Sequence, residues 1–309
     1  MFHRSLFLLL GLMLAGMPAH AWQAPAAPVI NDTAPDSTLD LSALSVLVID
    51  QENGQTLITK NAKLQTPIAS ITKLMTAIVT LDAGLSLDEK VAISSGDIDY
   101  LKGTGSRLSI GSIYTREQLL HLALIASENR AAHALGRSYP GGIDAFIAAM
   151  NRKARQLGMH STLYVDPTGL SSYNQSTAED LARLVNHAYN TYPEIRDISS
   201  TGNYSLGKQK VVVKKRRKTR VFWRDVAFNN TNRLTRDHEW QIGLSKTGYI
   251  NEAGHCLVMQ AEIAERKVII VLLDAMGKYG RLGDANRIKH WLEDNIRNTP
   301  RSATMSRDT

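Results

Sequence analysis

The chain is poor in the residues that build metal centres, redox sites and membrane spans. Its 309 residues include one cysteine, Cys256, which excludes a disulfide framework and any cysteine-rich metal cluster. Cys256 sits in the apolar pattern His255-Cys256-Leu257-Val258-Met259. With no basic neighbour placed to lower its pKa, it reads as an inert core residue and not a nucleophile. The histidines are scattered, without His-Glu-x-x-His spacing, so neither a metal nor any other cofactor is expected. Long hydrophobic runs are missing too. The apolar stretch Leu6 to Ala15 is shorter than the roughly 20 residues that span a bilayer. It follows His3-Arg4 and precedes the small-x-small pattern Ala19-His20-Ala21. These features predict a signal peptide over residues 1–21, cleaved near Ala21, and export to the periplasm. Acidic residues are outnumbered, 29 against 36 Lys and Arg, and the net charge is +7. A basic surface raises encounter rates with acidic partners but does not say which.

What the chain does have is a serine three residues ahead of a lysine, at the head of an apolar segment. The stretch runs Pro67-Ile68-Ala69-Ser70-Ile71-Thr72-Lys73-Leu74-Met75-Thr76-Ala77. On a helix, positions i and i+3 share a face about one turn apart. A serine hydroxyl is a poor nucleophile near neutral pH unless a base stands within hydrogen-bond reach. Lys73 can be that base if burial or a second cation makes its ammonium give up a proton. Lys246-Thr247-Gly248 offers the second cation, and Ser127-Glu128-Asn129 lies between. Two further copies of these spacings are read as decoys. Ser205-x-x-Lys208 contains Gly207 and runs into Val211-Val212-Val213, a turn and strand pattern. Ser172-x-Asn174 follows the turn signal Asp166-Pro167-Thr168-Gly169.

In this order, Ser70-x-x-Lys73, Ser127-x-Asn129 and Lys246-Thr247-Gly248 resemble the penicillin-binding and serine β-lactamase superfamily. Longer strings narrow the likeness: Ser127-Glu128-Asn129-Arg130-Ala131-Ala132, Pro167-Thr168-Gly169-Leu170, Asn230-Thr231-Asn232 and Gly254-His255-Cys256-Leu257-Val258-Met259. Together they resemble the low-molecular-mass D-alanyl-D-alanine peptidases, and within them the endopeptidases of the penicillin-binding protein 7 type. The likeness extends from about Leu44 to Glu293.

The resemblance implies acyl transfer through a serine ester on peptidoglycan stem peptides, with β-lactam antibiotics as covalent inhibitors. Ser70 is then the nucleophile, at a helix N-terminus where orphan N–H groups favour developing negative charge. Lys73 is the base. Ser127, a hydroxyl able to donate and accept at once, is the proton shuttle to the departing amine. Asn129 holds the substrate amide or Lys73, and Lys246, Thr247 and Gly248 form the strand that receives the substrate carboxylate. The implied oxyanion hole is the backbone N–H of Ser70 and of Tyr249. The motifs do not separate cross-link cleavage from removal of a terminal D-alanine, so a carboxypeptidase is the alternative. A penicillin sensor without catalysis and a β-lactamase are further readings. Against the latter, no Glu-x-x-Leu-Asn-like loop occurs about 40 residues past Ser127. Related carboxypeptidases carry a further β-rich domain and a terminal amphipathic helix. Residues 298–309 show no apolar face, which favours a soluble periplasmic enzyme.

Lys214, Lys215, Arg216, Arg217 and Lys218 form a basic run with Phe222 and Trp223 nearby. Export argues against nucleic acid as its partner. A solvated hairpin edge, kept from pairing by its charges, is one reading. Peripheral contact with a membrane or the sacculus is the other.

The pattern along the chain predicts a mixed α/β fold: an antiparallel sheet with helices on both faces plus a mainly helical region, as in the penicillin-binding protein and serine β-lactamase-like transpeptidases. Ser45 to Asp50 and Thr56 to Lys60 read as a hairpin about Glu52-Asn53-Gly54, and Ile71, Leu74, Met75 and Ile78 as the stripe of a buried helix. Thr115-x-x-Gln118 and Ser176-x-x-Glu179 read as capping boxes, and Ile143, Phe146, Ile147 and Met150 as another helix closed by Gly158. Gly243 to Tyr249, His255 to Glu262 and Lys267 to Leu273 read as strands, and Asp284 to Ile296 as a last helix. The expected organisation is a flexible lead-in over 22–40, a peptidase domain over 41–297 with its helical region at about 80–195, and a polar tail over 298–309.

Overall fold

A computed structural model describes residues 39–215 and 218–298. The expected signal peptide, nearly all of the lead-in, Arg216, Arg217 and nearly all of the polar tail lie outside the described residues.

The chain opens with strands β1 (Ala43–Asp50) and β2 (Thr56–Lys60), then the short β3 (Thr66–Pro67). A 3₁₀ turn over Ala69–Ile71 leads into helix α1 (Thr72–Asp82). Short strands β4 (Lys90–Ala92) and β5 (Ile113–Thr115) pair with each other and precede helices α2 (Arg116–Ile125), α3 (Asn129–Arg137) and α4 (Gly142–Gln156). Then come β6 (Gln175–Ser176), α5 (Ala178–Thr191) and α6 (Pro193–Ser200). A long hairpin, β7 (Asn203–Lys215) and β8 (Lys218–Asn229), is followed by β9 (Gln241–Ile250), β10 (Gly254–Ile263), β11 (Arg266–Ala275) and helix α7 (Gly280–Asn298).

The main sheet is antiparallel, in the order β2-β1-β11-β10-β9. Both faces are covered, which is why β11 reads as an apolar run instead of alternating with polar residues. Val268 to Leu273 are all fully buried. Alternate residues divide between two cores: Ile269, Val271 and Leu273 pack with α1 and α5, while Val268, Ile270 and Leu272 pack with Ala285, Ile288 and Leu292 of α7. The β10–β11 turn closes on Ala264 and Glu265, both at positive φ, as a two-residue hairpin connection needs.

Helix α1 is buried along nearly its whole length, from Thr72 to Thr80, as its largely apolar composition predicts. It therefore carries the serine-lysine pair into the centre of the molecule. The Thr115–Gln118 capping box forms as read: each side chain accepts from the other residue's backbone N–H. Helix α5 is capped one residue later than read. Ser176 pairs with Thr66 in the β3–β6 ladder and its hydroxyl meets Thr162 Oγ1 at 2.7 Å, so Thr177 caps α5 by accepting from the Asp180 N–H. Among the described residues no helix is long and apolar enough to cross a membrane.

Candidate active site

Three elements from distant parts of the chain meet at the head of α1. The Lys73 ammonium donates to Ser70 Oγ at 2.8 Å, Asn129 Oδ1 at 2.7 Å and the Thr168 carbonyl at 2.6 Å. Across the site, Lys246 Nζ donates to Ser127 Oγ at 2.9 Å and to the Thr247 carbonyl at 2.9 Å. Both lysines are buried. Burial lowers the Lys73 pKa to about 7, against the opposing fields of Asp166, Glu128 and Asp99. Burial also pushes Lys246 well below the usual lysine range, and the charges of Lys73 and Arg281 add to the effect.

This arrangement suits an amine that changes charge. Protonated, Lys73 has three donors for three acceptors. Neutral, it keeps two donors for Asn129 and Thr168 and turns its lone pair to the Ser70 hydroxyl, so either state is satisfied without moving a heavy atom.

The backbone reaches these positions through local constraint. Ala69, just before Ser70, sits at φ +46° in the left-handed region. Thr72 holds that turn by donating its hydroxyl to the Ala69 carbonyl at 2.8 Å. Ser127 lies in the link between α2 and α3 at φ +58°. Glu128 makes this link: its N–H donates to the Leu122 carbonyl and its carboxylate accepts from the Arg130 N–H to cap α3. Asn129 Nδ2 donates to Thr104 Oγ1 at 2.9 Å, which leaves Oδ1 for Lys73.

Strand β9 forms the opposite wall, at the edge of the sheet. A Cβ on Gly248 would stand 3.0 Å from the Ser70 nitrogen and 2.9 Å from the Ile68 carbonyl oxygen, so glycine is required for β9 to pass the nucleophile turn. Tyr249 follows at once, with its ring stacked on His255 at 4.4 Å and its hydroxyl donating to Asn251 Oδ1. The sequence-selected residues are thus brought together: Lys73 bonds Ser70 and Asn129, Lys246 bonds Ser127, and β9, which carries Lys246, Thr247, Gly248 and Tyr249, passes Ser70 at Gly248. The decoys are not. Ser205 lies in β7 and donates its hydroxyl to Asp225, while Asn174 is fully buried in a structural role.

Several residues escaped the sequence reading. Arg281, from the start of α7, donates to the Gly248 carbonyl at 2.8 Å and fixes β9 at the site. Thr168 supplies a backbone oxygen to Lys73, which side-chain motifs cannot register. The loop around it is organised by Asp166, whose carboxylate accepts from Thr168 N–H and hydroxyl, Gly169 N–H and Ser171 N–H. A carboxylate is therefore present 39 positions past Ser127, but its acceptor sites are taken up by the loop. Cys256 is buried, its thiol pushed up to about 11 by burial, in keeping with an inert core role.

A model of the D-alanyl-D-alanine carboxypeptidase family matches residues 31–277. A D-alanyl-D-alanine endopeptidase of Pseudomonas aeruginosa is 46% identical over 82% of this chain and 78% of its own length. One from Escherichia coli is 42% identical over 94% of this chain and 89% of its own. In fold, the chain is similar to penicillin-binding protein D2 from Listeria monocytogenes in its cefotaxime-bound form, with a TM-score of 0.68 and 30% identity over 82% of this chain and 97% of that one. The chain belongs to the D-alanyl-D-alanine carboxypeptidase family of penicillin-binding serine peptidases.

Proposed function

We propose that this protein is a serine D,D-endopeptidase that hydrolyses D-alanyl-diaminopimelate cross-links in peptidoglycan and is acylated by β-lactams at Ser70. The observation that carries this reading is the pair of buried lysines, each bonded to one serine: Lys73 to Ser70 and Lys246 to Ser127. Identity of 42–46% to two proteins named as endopeptidases supports cross-links as the substrate.

In this reading neutral Lys73 takes the Ser70 proton as Oγ attacks the D-alanine carbonyl. The backbone N–H groups of Ser70 and Tyr249 stabilise the oxyanion. Ser127, whose hydroxyl accepts a hydrogen bond from Lys246, passes its proton to the departing amine and takes back the one that Lys73 received, which leaves Lys73 neutral again. That amine is the D-centre of diaminopimelate, which keeps an α-carboxylate for Lys246 and Thr247 to hold. Water then attacks the ester, and Lys73 serves as base again. Penicillins acylate Ser70 because their ring amide and carboxylate mimic the same pair of groups.

The peptidase domain is assigned to 41–297, with its helical region at about 80–195, and the protein to the periplasm after cleavage near Ala21. The basic run takes in the end of β7, Lys214 and Lys215, and the start of β8, Lys218. There it would contact the sacculus or an anionic membrane surface.

Digestion of purified cross-linked muropeptides by the mature protein tests the assignment. Dimers should fall to monomers. Release of free D-alanine while dimers persist would make the protein a carboxypeptidase.

A further inference from the structure

The segment Asn230-Thr231-Asn232, between β8 and β9, takes no part in the mechanism above, yet it touches both walls of the cleft. Thr231 Oγ1 lies 2.7 Å from Thr247 Oγ1, the hydroxyl assigned to the substrate carboxylate. The Thr231 backbone N–H donates to the Ile125 carbonyl at 3.0 Å, at the end of the helix that leads to Ser127. The flanking asparagines make this position rigid. Asn230 is buried and donates to the carbonyls of Ser199 and Thr201 at 2.9 Å each. Its Oδ1 accepts from the Asn232 N–H at 2.9 Å, and Asn232, also buried, accepts from the Leu234 N–H at 3.1 Å.

We propose that Thr231 is a positioning residue for carboxylate recognition, acting by setting the direction in which the Thr247 hydroxyl donates. A hydroxyl has one proton and two acceptor lone pairs, and its proton rotates freely. Without substrate, Thr247 donates to Thr231. When a carboxylate arrives, the Thr247 proton turns to it and the Thr231 hydroxyl donates to Thr247 in its place. No proton changes owner, and the Thr247 oxygen keeps a partner throughout. The resulting chain, Thr231 O–H to Thr247 O–H to carboxylate, polarises the outer hydroxyl and strengthens its bond to the anion. Because the Asn230 and Asn232 brackets hold Thr231 in place, Thr247 needs no search among rotamers when substrate binds.

This inference rests on the reading of Lys246 and Thr247 as the carboxylate site, but not on whether cross-links or terminal D-alanine are cleaved. The test is therefore acylation by one penicillin as its free acid and as its methyl ester, followed by intact mass. Thr231→Val keeps the backbone N–H on Ile125 and removes only the hydroxyl. It should lower the acylation rate constant for the free acid by about three- to tenfold, the worth of one ordinary hydrogen bond. The ester rate should stay unchanged, which also reports that the fold is intact. Thr231→Ser should restore the free-acid rate. An unchanged free-acid rate, an equal loss for acid and ester, or failure of serine to rescue would each overturn the proposal. Muropeptide digestion by the wild-type protein reports separately on the substrate reading.

Discussion

Gly169 lies directly against the carbonyl of Ala69, so closely that a Cβ at Gly169 would stand 1.9 Å from that oxygen. Gly169 is also at φ +79°, which side-chain-bearing residues rarely adopt. The loop that gives Lys73 its carbonyl ligand is therefore packed, without spare volume, under the residue that precedes the nucleophile. Gly169→Ala should push the two apart. The expected result is a drop in melting temperature together with strongly reduced penicillin acylation, read by thermal melts and by labelling of the soluble fraction. Normal labelling would show that this contact does not position Ser70.

Lys73→Ala should slow acylation by about 10²–10⁴-fold, the usual contribution of a general base, while the protein still melts cooperatively. An unchanged acylation rate would remove Lys73 from the role of base.

Acylation of the wild-type protein should depend on the charge of Lys73. Its pKa is lowered by burial to about 7, so the ammonium form dominates below that value and the neutral base above it. The acylation rate constant should rise as pH increases through about 7 and then level off. A rate that falls across this range would mean that the protonated amine is the active form.

Asn174 offers a test of the scaffold beneath the site. Its Oδ1 accepts from the N–H groups of Val165 and Asp166, and its Nδ2 donates to the Asp166 carbonyl and to Thr72 Oγ1. Its own carbonyl accepts from the Ile68 N–H. Asn174→Ala strips the side-chain bonds in a fully buried place and should cost about 1–3 kcal/mol for each group left unsatisfied. Denaturant unfolding reads this; a loss below about 0.5 kcal/mol would show that water replaces the amide.

Neutralising Lys214, Lys215, Arg216, Arg217 and Lys218 should weaken binding to intact sacculi or anionic vesicles at low salt, since such attraction is screened as ionic strength rises. Hydrolysis of small soluble substrates should stay nearly unchanged. An equal loss on both would place the run in the catalytic machinery instead.

The side chains of the site were legible in the sequence because their chemistry is tied to short spacings: Ser70 with Lys73, Ser127 with Asn129, Lys246 with Gly248. The sheet was legible for a similar reason, since strands such as Val268 to Leu273 are buried on both faces and show it as an apolar run. Less visible were contributions that belong to the backbone or to distant partners. The Thr168 carbonyl leaves no trace in residue identity, and Arg281 comes from a helix start far along the chain. The shift of the α5 cap from Ser176 to Thr177 followed from β3 claiming Ser176 for a ladder, a tertiary demand that local capping rules do not contain. The positive φ of Ser127 was equally hidden, because no glycine marks it.

In the proposed mechanism Ser70 forms the acyl-enzyme. The most direct test is intact-mass analysis of the protein after incubation with a penicillin, with the modified peptide located by fragmentation, for wild type and Ser70→Ala. A single adduct of one penicillin mass is expected on Ser70 and none on the variant. An adduct on another residue, or labelling of Ser70→Ala at the wild-type rate, would contradict that mechanism.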